Sequence, residues 1–62
     1  MKQENRHHAI LYAVMRQGSV SIESLAEELG VSSQTIRRDI SELDRTGMLE
    51  RRPGGASCRT TI

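Results

Sequence analysis

Glycine at positions 18, 30 and 47 closes three successive runs of residues with helical spacing. Gly is the residue most at home just past a helix end, so these positions divide the chain into three helices with little between them. The spacing predicts a first helix over roughly Gln3–Gln17, with Ile10 and Val14 on its apolar stripe and His7 and Leu11 beside them. A second helix starts after Ser21, a good N-cap, and carries Ile22, Leu25, Ala26 and Leu29 at i, i+3, i+4 and i+7. A third starts after Ser32, another good N-cap, with Ile36, Ile40 and Leu43 on one stripe. Leu25, Leu29, Ile36 and Ile40 are the expected centre of the core.

The second and third helices are separated only by Gly30, Val31 and Ser32. A short Gly-containing turn between two helices is the helix-turn-helix arrangement, and Val31 would plug its corner. Beyond Gly47 the pattern changes. MLERR at 48–52 is too short for a helix, PGGA is a turn signal, and SCRTTI at 57–62 alternates and is rich in β-branched residues. A β-hairpin is expected, with Val20 supplying a third short strand at its edge. The order helix, strand, helix, helix, strand, turn, strand predicts a mainly α fold with a small β-hairpin. That is a winged helix-turn-helix, three helices plus a wing, filling residues 1–62 as one domain.

With 62 residues, such a domain buries only about 60% of its unfolded surface. The single Cys58 can close no internal disulfide, suits a reducing compartment and is expected to be a small half-buried residue. No His/Cys cluster has metal-ligand spacing, so neither a metal nor another cofactor is expected. The longest apolar run, AILYAVM, is far short of the roughly 20 residues that cross a membrane, and no signal peptide is visible. A soluble, cytoplasmic chain without a membrane partner is expected.

The net charge of +1 hides a gradient. Residues 1–36 carry three basic and four acidic groups, whereas residues 37–62 carry six basic and four acidic, and all six are Arg. Arg presents a planar fork suited to phosphates and guanine edges. Stepping about 100° per residue around helix 3 sets Gln34, Arg38, Ser41 and Arg45 opposite the core stripe, with Thr35 and Arg37 on the flanks. Ser33, Gln34 and Thr35 form the first turn behind the Ser32 cap. Gln can pair bidentately with adenine and Arg with guanine in the major groove. Hydroxyls and free N–H groups at a helix start suit phosphate oxygens, which also recommends Ser21 at the start of helix 2. Asp39 falls near the core edge, where an Arg of the domain is its expected partner, and Glu42 on the far flank.

Arg51 and Arg52 precede Pro53-Gly54-Gly55, and Arg59 follows. Both hairpin arginines are expected to hold phosphate or the minor-groove wall, with Gly allowing the backbone to approach closely. Such charges also discourage edge-to-edge aggregation, and a polar outer helix face is ordinary in itself. The placement decides between these readings: the polar face belongs to the second helix of a helix-turn-helix, where a recognition helix stands.

An enzyme is the weakest alternative. There is no Gly-rich phosphate loop followed by Lys and no credible catalytic triad, and the adjacent His7 and His8 point in different directions. A winged-helix protein-interaction module without DNA readout is the stronger rival, with Tyr12 and Met15 as exposed contacts on helix 1. Structured RNA is disfavoured, because a protruding helix fits the B-form major groove better.

Arg6 with Ile10, followed by GSVSIESLAEELGVSSQTIRRDISELDRTGMLERRPGGA at 18–56, resembles the N-terminal domain of the DeoR family of bacterial transcriptional regulators. LAEELGVS, TIRRDI and the set Leu49, Arg51, Gly54-Gly55-Ala56 carry the likeness, which covers nearly the whole chain. Arg52 and Pro53 depart from the apolar residue and His usual before GGA. The resemblance implies a winged helix-turn-helix that binds a double-stranded DNA operator, usually as a repressor of sugar or nucleoside catabolism. It places Ser32, Ser33, Gln34, Thr35, Arg37 and Arg38 at the DNA, with Arg37 also suited to an internal partner such as Asp39 or Asp44. It further implies a homo-oligomer whose larger C-terminal domain binds a phosphorylated sugar. On that expectation these 62 residues are an isolated domain or fragment.

Overall fold

A computed structural model describes residues 2–59. Within them the chain runs α1 (Gln3–Gln17), β1 (Ser19–Ser21), α2 (Ile22–Leu29), α3 (Ser33–Arg45), β2 (Glu50–Arg52) and β3 (Gly55–Ser57). The helix-turn-helix corner forms as its residues dictate. Gly30 adopts the left-handed conformation at φ 69°, and its N–H reaches Ala26 O. Val31 N–H donates to the same carbonyl at 3.0 Å, and its half-buried side chain packs against the core. Ser21 and Ser32 cap α2 and α3 in the same way, each Oγ accepting the backbone N–H three residues on. Such a cap contributes about 1 kcal/mol.

Ile10, Leu25, Ile36, Ile40 and Leu49 are the largest fully buried side chains. Each apolar residue of this size removed from water contributes roughly 1.5–3 kcal/mol. The centre of the core differs from expectation at one residue and gains another. Leu29, the last residue of α2, is only partly buried and packs at the margin of the core. Leu49 takes a central place instead. It stands between α3 and β2, where Met48 N–H closes back on Leu43 O at 2.9 Å and turns the chain inward.

The three strands form one antiparallel sheet in the order β1-β3-β2, so Val20 does stand in an edge strand. The hairpin is tighter than the β-branched run suggested. Arg52 pairs with Gly55, leaving only Pro53 and Gly54 in the turn, and β3 begins at Gly55 rather than Ser57. Pro followed by a Gly at φ 76° is the pattern of a type II turn. Thr60–Ile62, placed by the sequence in the second strand, lies outside the described residues. Gly55 is required by the sheet itself: a Cβ there would collide with the carbonyl oxygen of Val20 in β1. Cys58 is exposed rather than half-buried, since β3 has ended, though its N–H still donates to Gly18 O at 2.9 Å. The architecture is a winged helix-turn-helix, mainly helical. No described helix is long and apolar enough to cross a membrane.

Candidate nucleic-acid interface

The phase of α3 is fixed from inside. Ile36 and Ile40 are fully buried, with Leu43 at 6% exposure, and Asp39 joins them at 2%. A buried carboxylate needs full compensation, and Asp39 receives it from α1. Arg6 Nε donates to Oδ2 at 2.6 Å and Arg6 Nη2 to Oδ1 at 3.3 Å, while His7 Nε2 lies 3.2 Å from Oδ1. The sequence put Asp39 at the core edge; the structure buries it, because Arg6 and His7 close over it. Arg37 pairs with neither Asp39 nor Asp44 and remains exposed. The hydrogen bond to Asp39 raises the Arg6 pKa, with burial opposing it. A cation whose folded pKa is raised contributes fully below its ordinary value, so Arg6 holds this clamp charged at any ordinary pH.

His7, Asp39 and Glu42 bring three possible metal-ligand atoms together. Arg6 already supplies the cation on Asp39, and Gln3 Nε2 donates to Glu42 Oε2 at 2.8 Å, so the cluster reads as a clamp between α1 and α3.

With that side pinned, α3 turns Gln34, Arg37, Arg38, Ser41, Glu42 and Arg45 onto one open groove. Every residue expected on the outward arc is there. Glu42 is there too, and not on a remote flank: it stands one helical turn from Arg38, facing His7 at 3.6 Å. Arg38 also borders a second groove with Thr35, Gln3 and Arg6. Ser33 and Gln34 are exposed and Thr35 half-buried. Ser32 Oγ is engaged in capping, 3.2 Å from Thr35 N and 2.9 Å from Thr35 Oγ1. The first turn of α3 holds no acidic residue, so its positive dipole end is left uncancelled.

Ser21 joins the hairpin instead of the α3 face. It pairs with Gly55 in the sheet and shares a groove with Ser24, Arg52 and Gly54. The two hairpin arginines also part company. Arg52 Nε donates to Ser57 Oγ at 3.3 Å, and its Nη2 stands 3.3 Å from Glu50 Oε1. Arg51 faces α3, its Nη1 donating to Ser41 Oγ at 3.2 Å and its backbone N–H to Asp44 Oδ1 at 3.3 Å. The Arg partner expected for Asp39 is Arg6, whereas sequence reasoning missed the share of His7 in that clamp and the tie of Arg51 to α3. The partners lie in different elements, outside the reach of helical periodicity, although strand alternation alone puts neighbouring Arg51 and Arg52 on opposite faces.

Residues 6–61 match the family model of the DeoR-like helix-turn-helix domain. The chain is 49% identical over 57 residues to the glycerol-3-phosphate regulon repressor of Escherichia coli K12, covering 92% of this chain and 23% of that protein. It is 39% identical over 57 residues to the HTH-type transcriptional repressor CsqR of the same strain, covering 92% of this chain and 22% of the relative. It is 38% identical over 60 residues to the HTH-type transcriptional regulator UlaR of Escherichia coli O1:K1 / APEC, covering 97% and 24%. The chain thus spans about a quarter of the length of these curated relatives. No solved structure gives a significant match.

Proposed function

Because the chain belongs to the DeoR-like helix-turn-helix family, we propose that it is the DNA-reading domain of a bacterial transcriptional repressor, with α3 entering the major groove of its operator. The observation that carries this reading is the outward face of α3: Gln34, Arg37, Arg38, Ser41 and Arg45 share one groove, directly away from the buried stripe. Gln34 and Arg38 have the reach and donor geometry to read base edges. Ser33, Thr35 and Arg37 flank them and hold phosphates, as do Ser32 and Ser21 at the two helix starts. The tip of the hairpin rests on the backbone or minor groove. The genes controlled serve sugar or nucleoside catabolism, a reading supported by the regulon in one relative's name. The whole protein works in the cytoplasm as a homo-oligomer, and its phosphorylated-sugar site lies outside these residues.

The test is selection of bound sites from random duplex DNA, followed by titration against salt. Contact with about five phosphates gives a slope of log K against log salt of roughly −4 to −5. A helix-turn-helix reads a palindrome as two copies, so one copy on a half-site binds weakly. Binding that ignores salt and sequence would sink this reading. It would favour a protein-interaction module, for which Tyr12 and Met15, 63% and 77% exposed on α1, are the available contacts.

A further inference from the structure

We propose that Arg51 reads base sequence together with α3, whereas Arg52 belongs to a separate, sequence-indifferent surface. This rests on α3 being the helix that enters the groove. The sheet supplies the first reason. Arg51 lies opposite Ala56, which lies opposite Val20. Directly paired residues share a face, and Ala56 is 1% exposed and Val20 packs on the core. Arg51 therefore emerges from the core side of the sheet at its edge, over α3. Arg52 is paired with Gly55 and points the other way, towards Ser57 and Glu50.

The hydrogen bonds supply the second. Arg51 is tied twice to α3: through its backbone N–H to Asp44, at 3.3 Å, and through Nη1 to Ser41 Oγ, at 3.2 Å. The Asp44 bond also covers a free N–H of the edge strand, a position that otherwise invites pairing with another chain. Ser41 belongs to the groove wall with Gln34, Arg38 and Arg45. The Arg51 head group thus stands beside that wall, one helical turn past Arg38.

The third reason is what each guanidinium has left to offer. With Nη1 on Ser41, Arg51 keeps Nε–H and Nη2–H, a fork that matches two acceptors such as guanine O6 and N7. Neither atom has a partner among the described residues. Arg52 spends Nε on Ser57, and Glu50 offsets its charge. Arg51 is therefore the better-prepared reader, and the base pair it contacts lies beyond those contacted by Gln34 and Arg38, on the side of the α3 C-terminus.

The test uses the 62-residue chain and the selected duplex, with single-base variants of every position. Arg51→Gln is the main substitution, since it keeps a polar side chain in the strand and removes the cationic fork; Arg51→Ala is its companion. Both should lose roughly tenfold discrimination at one base pair, distinct from the pair relaxed by Arg38→Ala. Ser41→Ala should weaken that same preference when Arg51 is present and change nothing further in Arg51→Gln. Arg52→Ala should lower affinity for every sequence by one common factor. Thermal melts confirm that each variant is folded before its binding is read. If Arg38→Ala relaxes a base preference but Arg51→Gln and Arg52→Ala both lower all sequences alike, Arg51 is an anchor and the proposal is overturned while the reading of α3 stands. If Arg38→Ala also leaves every preference intact, α3 is not the reader and both fall together.

Discussion

The two helices of the helix-turn-helix begin alike and end up facing different worlds. Both α2 and α3 start at a Ser whose side chain accepts the N–H three residues on, and both bury an aliphatic stripe. Their outward faces are opposite in charge. On α2 the exposed positions include Glu23, Glu27 and Glu28, and Glu23 sits in the first turn, where it offsets the helix dipole. On α3 they include Gln34, Arg37, Arg38 and Arg45, with no acidic residue in the first turn. Core stripe and cap make each segment a packed helix. The face left over decides which one a polyanion can approach.

The largest effect expected from breaking this comparison lies in the shared part. Ile36→Ala empties a fully buried site in α3 and should cost about 2–5 kcal/mol. A domain this small has little more stability than that, so circular dichroism should show a chain barely folded at room temperature. Leu29→Ala at the open end of α2 should cost clearly less, and equal losses would contradict the core described above. Gly55→Ala comes next. Its methyl meets the Val20 carbonyl, so β1 and β3 must part, at roughly 1–3 kcal/mol, and a thermal melt unchanged from the parent would show that the strands lie further apart.

Smaller effects separate the two helix starts. Ser21→Ala and Ser32→Ala each remove a cap and should destabilise by similar amounts, about 1 kcal/mol, in denaturant titrations. The smallest effect is expected on the outer face of α2. Glu27→Gln should change stability by less than about 0.5 kcal/mol and raise DNA affinity slightly at low salt. A fall in affinity there would mean that α2, too, contributes directly to binding.

Much of this was legible in the sequence, because it is written in local periodicity. Gly18, Gly30, Ser21 and Ser32 mark helix ends through their own backbone and side-chain chemistry, and Ile36, Ile40 and Leu43 set the phase of α3. From these the outward set Gln34, Arg38, Ser41 and Arg45 follows by geometry, as the structure bears out. What stayed hidden depends on contacts between distant segments. Asp39 looks like a polar residue at a stripe's margin until Arg6, 33 positions away, folds over it. Leu49 sits in the four-residue link between α3 and β2, with no period to read, and only the return of Met48 onto Leu43 turns it inward. The length of β3 escaped for a related reason: Gly55 has low strand propensity, yet it is the residue that lets β1 approach.

The central claim is that the outward face of α3 reads sequence, and the most direct measurement is the affinity of Arg38→Ala for the selected duplex, for its single-base variants and for random DNA. The account predicts a loss of roughly 1–3 kcal/mol on the preferred site, a smaller loss on variants at one base pair, and little change on random DNA beyond that of one lost charge. An equal loss on all sequences, with every base preference kept, would contradict it.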